Sequence, residues 1–179
     1  LKNAIEYAQS FYESNEVVIE EFLDGIEHSM ETLTCDGVTH VLAVSDKVKT
    51  PPPYRVDQSV IYPTIYQGPE LQKIHEAVIS AVKALGVKLG AAHVELCTTK
   101  DGPRLFELGA RCGGGGTPDP IIPYLTGIEM FKEVVRMALG EKPQHLEPLY
   151  TKGCIYRFLM PKPGIVKEII GLEEVKQWN

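Results

Sequence analysis

The chain has 179 residues, 44% of them hydrophobic and 23% charged, with a formal net charge of -6, a length that buries the core of one domain or one large lobe of something bigger. An acidic balance without blocks of like charge excludes a nucleic-acid footprint, and no run approaches the roughly 18 apolar residues of a membrane span. Cys35, Cys97, Cys112 and Cys154 show neither paired metal-ligand spacing nor a secreted disulfide framework, so a soluble protein of the reducing cytoplasm is expected.

Along the chain, Leu1, Ile5, Ala8, Phe11 and Tyr12 recur at helical spacing and predict a first helix over residues 1–14. The run "EVVIEEFL" (16–23) reads as a buried strand leading into the turn "DGIE", and "HSMETLTCDGVTHVLAVSDKV" as two strands around the Asp36-Gly37 hairpin signal. Between Lys49 and Pro69 the density of proline predicts an irregular loop with a short extended piece. A helix over Glu70 to Leu85 follows, with Leu71, Ile74, Ala77, Val78, Ala81 and Val82 on one face. "AAHVELCTTKDGPRLFELGAR" is a strand, turn and strand. "TGIEMFKEVVRMALGE" is a helix, with Thr126 as N-cap and Gly140 as its stop. The last thirty residues hold short strands broken by "PKPG".

The segment "RLFELGARCGGGGTPDP" concentrates the chemistry. Its glycines, Gly113 to Gly116, are not a phosphate-cradling P-loop, because no Lys-Ser or Lys-Thr follows them. Nor are they a dinucleotide fingerprint, because prolines displace the helix that should start there. Taken alone the tract is equally a flexible loop. Glu95 and Glu107 lie on the two arms of the preceding hairpin. A plain Asp101-Gly102 turn sends them to opposite faces, whereas a three-residue loop, Lys100 to Gly102, with Gly102 at positive φ, or an added bulge, sets them opposite each other. Facing carboxylates call for a cation, and all-oxygen ligation points to magnesium or manganese. Spacing alone fits two solvated acids as well.

Together, "VVIEEFLDGIEHSMETL", "GAAHVELCTTKDGPRLFELGARCGGGG" and "LTGIEMFKEVVRMALGE" resemble the larger nucleotide-binding lobe of the ATP-grasp superfamily, most like its carboxylate-amine ligase branch. "GCIYRFLMPKPGIVKEIIGLEE" resembles the β segment that follows this lobe in biotin carboxylase-like and purine-pathway ligases. The resemblance runs from about residue 15 to the end. It implies an α+β fold, an antiparallel sheet flanked by helices, with the lobe over 1–149 and the start of a C-terminal β segment over 150–179. It implies ATP and Mg2+ (or Mn2+) as cofactors, small-molecule carboxylate and amine substrates, and the remaining domains of a parent chain as partners, with a homodimer allowed and neither nucleic acid nor membrane.

By the same resemblance, the acidic pair Glu20 and Glu21 lies by the adenine, with Glu20 on the exocyclic amine and backbone groups around Phe22 and Leu23 assisting. Glu27 matches an acid that reaches the ribose hydroxyls in several members. Glu95 and Glu107 match the two metal-binding glutamates, and Arg111 the arginine facing the acyl phosphate and the substrate carboxylate. The glycines would then give the substrate room. Departures are equally specific. Gly109 stands where many relatives have a metal-binding asparagine, which puts a second metal in doubt, and "DQSVIYP" replaces a Gly-His pair. Lys47, Lys49 and Arg55 could face phosphate but read first as solvated surface charges; His93 reads as a packed histidine, and His28 is left open. An upstream acceptor domain and a smaller nucleotide lobe do not fit before Glu16, so the chain reads as a fragment, inactive alone. Two alternatives stay open: a biotin carboxylase-like or carbamoyl phosphate-forming enzyme, and a nucleotide-binding module without turnover.

Overall fold

The computed structural model describes residues 2–11 and 16–178. Its elements are α1 (Lys2–Gln9), β1 (Gly25–Cys35), β2 (Val38–Val44), β3 (Asp46–Lys49), β4 (Asp57–Tyr62), α2 (Gly68–Ala84), β5 (Gly90–Thr99), β6 (Gly102–Gly109), α3 (Ile122–Thr126), α4 (Met130–Ala138), β7 (Cys154–Arg157) and α5 (Leu172–Val175). They form a four-stranded sheet in the order β2-β1-β5-β6 and a three-stranded sheet in the order β3-β4-β7, with every pair antiparallel. This is the α+β arrangement of antiparallel sheets flanked by helices that the sequence leads one to expect. Among the described residues no helix is long and apolar enough to cross a membrane.

Period-two alternation assigns the two faces of the larger sheet. Met30, Ala92, Val94 and Leu96 point to one face and pack under Ile74, Val78 and Val82 of α2. Leu33 and Ala91 point to the other and join Val60, Tyr62, Ile122, Leu125, Ile128 and Met130 in a second core. The row Glu27, Ser29 and Glu31 shares that second face with His93, Glu95 and Glu107, because Glu27 is paired with Cys97, Ser29 with Glu95, Glu31 with His93, and Glu95 with Glu107. The first face is mainly oily, with His28, Thr32 and Thr34 of β1 as its buried polar members. The other is oily at one end and charged at the other.

Polar contacts hold the second sheet over the charged end. Ser45, between β2 and β3, donates its amide to Ser29 O at 3.1 Å and its hydroxyl to the same carbonyl at 3.0 Å. Buried His28 faces Ser45 O at 2.7 Å and Asp46 Oδ1 at 3.0 Å through Nδ1. The histidine left open by the sequence thus clamps β3 to β1.

Several sequence expectations are corrected. "EVVIEEFL" is not a buried strand: residues 16–24 have no regular structure and Val18, Ile19 and Phe22 are exposed, since no ladder partner is present among the described residues to satisfy its backbone. Thr126 does not cap α4 but ends α3, donating its hydroxyl to Ile122 O at 2.7 Å and accepting the Ile128 amide at 3.1 Å. Gly140, at φ +78, does stop α4. Among the described residues of the last thirty only β7 is a strand; 158–170 is exposed, proline-bearing and outside both sheets. For the first helix, α1 accounts for Ile5 and Ala8, whereas Leu1 and Tyr12 lie outside the described residues.

Ile74 is fully buried beneath the sheet and Ile79, on the same helix, is 38% exposed. Urea unfolding of Ile74→Ala should show a loss of about 2–5 kcal/mol, against about 0.5 kcal/mol or less for Ile79→Ala. Equal losses would contradict this assignment of faces.

Candidate functional site

The hairpin of β5 and β6 sets the two acids opposite each other by an indirect route. Its turn is the two residues Lys100 and Asp101, with Thr99 paired to Gly102, and that register alone would not align Glu95 with Glu107. Between Glu95 and Leu96 the register slips by one residue, Phe106 being the extra one, and Glu95 then pairs with Glu107. Gly102 has φ +100. Of the two geometries that alignment requires, a three-residue loop or a bulge, the molecule uses the bulge.

Glu95 and Glu107 are nonetheless unlike. Glu95 Oε1 lies 2.6 Å from Lys47 Nζ and accepts the Nε2–H of His93 at 3.2 Å. Glu107 is largely exposed and has Arg111 Nη2 at 3.6 Å. Arg111 Nη1 donates to Cys112 O at 3.1 Å. Arg111 also folds back over Gly109, where an added Cβ would lie 3.3 Å from its Cγ and Nε. Glycine at 109 therefore leaves room for the guanidinium as well as withholding a ligand.

Lys47, Lys49 and Arg55 are not solvated surface charges. Lys47 has only 4% of its side chain exposed and pairs with Glu95 at 2.6 Å and Asp57 at 3.5 Å. Lys49 reaches Glu27 at 2.6 Å and Asp57 at 2.7 Å. Arg55, at φ +47, reaches Glu27 at 3.3 Å and covers the Phe22 ring at 5.1 Å. Carboxylates lining a cleft between two sheets draw the nearest cations inward, because an unpaired charge there is costly. Lys47 and Lys49 are two apart in β3 and share a face, as do Glu27 and Glu31 four apart in β1, so the two rows of charge can meet once the strands are stacked.

His93 is packed, as expected, but it is also wired. Its Nδ1–H donates to Glu31 Oε1 at 2.7 Å while Nε2–H donates to Glu95, so both ring nitrogens carry protons. Burial opposes that charge, yet the hydrogen bonds and charges of Glu31 and Glu95 outweigh it and raise the imidazole to about 9. Burial likewise works to raise Glu95, and the bonds and charges of His93 and Lys47 overcome it, holding the carboxyl at about 2. The second oxygen of Glu31 accepts the Gly113 amide at 3.0 Å. An added Cβ at Gly113 would meet Glu31 Oε1 at 2.0 Å and His93 Nδ1 at 2.7 Å, so only glycine fits.

Of the clefts beside these charged residues, two gather the remaining site candidates. One, of about 470 Å³, gathers Glu20, Glu21, Phe22, Leu23 and Glu27 with Arg55, Cys97 and residues 104–106; Cys97 Sγ lies 4.0 Å from Leu23 O. The other, of about 260 Å³, is bounded by Ser29, Asp57, Glu95, Arg111, Gly114, Gly115 and Tyr156. The sequence-expected residues thus divide, Glu20, Glu21, Phe22, Leu23 and Glu27 in the first cleft and Glu95 and Arg111 in the second, beside Lys47 and Asp57, while Glu107 lines neither. Among the described residues no group of three or more His, Cys, Asp or Glu side chains is arranged to hold a metal ion.

The raised imidazole gives a pH signature. His93 contributes stability that is complete below its ordinary value of 6.5 and lost as pH rises to about 9. Glu95 contributes above its ordinary 4.5 and loses that as pH falls towards about 2. Denaturation of the protein alone across pH should show an alkaline decline that His93→Gln flattens. An identical alkaline limb in the variant would contradict the wiring.

Residues 2–119 match the ATP-grasp domain family. The fold is similar to that of an L-amino acid ligase from Bacillus licheniformis, at TM-score 0.77 and 34% identity over 88% of this chain and 41% of that one. In sequence the chain is 29% identical over 129 residues to human carnosine synthase 1, covering 72% of this chain and 16% of that protein. It is 28% identical over 169 residues to dapdiamide A synthase of Enterobacter agglomerans, covering 86% of this chain and 38% of that protein. The chain thus spans well under half the length of each of these three. With the family matched over residues 2–119 and the antiparallel fold in accord, the chain belongs to the ATP-grasp domain family.

Proposed function

We propose that this chain forms the nucleotide-binding and metal-binding face of an ATP-dependent ligase that activates a carboxylate as an acyl phosphate and joins it to an amine, with amino acids as the substrate class. One observation carries the reading: Glu95 and Glu107 face each other across β5 and β6, reached through a bulge, with Arg111 just beyond the end of the same strand. The likeness to an L-amino acid ligase at 34% identity supports the substrate class.

In this reading Glu20 and Glu21 would hold the adenine edge, Phe22 and Leu23 would line its cleft, and Glu27 would turn to the ribose. Glu27 is paired with Lys49 and Arg55, so nucleotide entry would exchange those contacts and free two cations beside the phosphates. Glu95 and Glu107 would hold Mg2+. Bound there, the ion would offset phosphate charge as the phosphoryl group moves. Arg111 would orient the substrate carboxylate and stabilise the charge developing on the acyl phosphate, a task suited to its planar fork. The glycine loop would let the substrate approach the backbone. The acid and the amine would meet in the smaller cleft, between Asp57 and Arg111.

The test uses the natural polypeptide that carries this chain, assayed for ATP-dependent phosphate release with pairs of amino acids. Arg111→Lys keeps the charge and loses the fork, so turnover should fall by an order of magnitude or more while Mg-ATP affinity stays within about two-fold. Equal losses in turnover and in nucleotide affinity would give Arg111 a structural role, and an absence of Mg-ATP binding in the unaltered protein would remove the reading.

A further inference from the structure

We propose that Glu31 is a positioning residue for the reaction, a single buried carboxylate that fixes the glycine loop to Glu95. The inference rests on the nucleotide and metal reading above. Glu31 is 1% exposed, and an acid so placed persists only if both oxygens are spent. They are spent in different directions. Oε1 accepts from His93 Nδ1, whose other nitrogen donates to Glu95, and Oε2 accepts the amide of Gly113, immediately after Cys112 and two residues beyond Arg111. The links run Gly113, Glu31, His93, Glu95 without a break.

Three further features belong to the same device. The pairing of β1 with β2 slips by one residue between Glu31 and Thr32, with Leu42 of β2 as the extra residue, so the neighbouring strand bends away beside the acid. Residue 113 has no space for a Cβ, which would strike the Glu31 carboxylate and the His93 ring. Glu31 and His93 are also directly paired across β1 and β5, so the backbone fixes their separation. Two parts of the proposed site, the carboxylate that would hold the metal and the loop that follows Arg111, come from different places in the chain. A partner behind a metal ligand commonly matters on the order of ten-fold or more in metal affinity. Here that partner's own anchor also reaches the substrate loop.

The test combines NMR without ligands and titration of Mn2+ with ADP, in the natural polypeptide that carries this chain, unaltered and as Glu31→Gln and His93→Gln. Glu31→Gln sets an amide N–H2 against either the His93 ring or the Gly113 N–H. It should shift the Gly113 amide proton and the His93 ring nitrogens while leaving the amides of α2 in place, and weaken Mn2+-ADP binding on the order of ten-fold. His93→Gln, which spares the Gly113 bond, should weaken Mn2+-ADP with the Gly113 amide little moved, and it carries the test if Glu31→Gln fails to fold. Mn2+-ADP affinity within about two-fold of the unaltered polypeptide in both variants, or in the one that folds, overturns the inference. So does a Gly113 amide that Glu31→Gln does not move. If the unaltered polypeptide does not bind Mn2+-ADP at all, the nucleotide reading fails instead, a result distinct from either.

Discussion

Carboxylates set between two sheets stay charged only where cations reach them, and that constraint organises this molecule. Glu27, Asp57, Glu95 and Glu31 stand in a line along the cleft, interleaved with Arg55, Lys49, Lys47 and protonated His93. Each acid is balanced by a neighbour, so the line is close to neutral as a whole. Removing one member would leave each inner neighbour with one partner of two, a loss smaller than that of about 3–5 kcal/mol for a fully buried pair left uncompensated. An exposed pair such as Lys100 with Asp101 contributes about 0–1 kcal/mol. The ladder also explains the position of the small sheet, since β3 supplies both lysines and β4 supplies Asp57.

The same ladder bears on function. In the proposed function, a nucleotide with its metal would compete for contacts the acids and lysines already make with each other. Glu95 has two cationic donors on one oxygen, while Glu107 is exposed, with only a long contact to Arg111. The two facing acids therefore begin from different states, one internal to the protein and one open to an incoming charge. The first cleft is guarded in a parallel way, by Arg55 over Phe22 and on Glu27.

Much of this was legible in the sequence, and the boundary of legibility is physical. The Asp36-Gly37 turn is there, with φ +51 and +76, because that dipeptide tolerates left-handed backbone. The apolar face of α2 is there because period-3.6 burial is local. Parity reasoning on Glu95 and Glu107 narrowed their alignment to a three-residue loop or a bulge, and the bulge occurs. The sequence could not show that Lys47 and Lys49 turn inward, since this depends on β3 crossing over β1 through Ser45, a tertiary event. Nor could it separate His93 as filler from His93 as a bridge, since Glu31 is sixty-two residues away. The strand expected over 16–23 failed for the opposite reason: its composition is strand-like, but a strand also needs a neighbour.

Paramagnetic broadening by Mn2+ with ADP tests the central claim most directly, because it locates the ion without relying on any substitution. If the charged face of β5 and β6 receives the metal and nucleotide, amide signals around Glu95, Glu107 and Gly109 and along 113–116 should broaden first. Those of the Asp36-Gly37 turn, at the far end of β1 from Glu27, should remain sharp. Broadening that is uniform, or centred on another face of the sheet, would contradict the account.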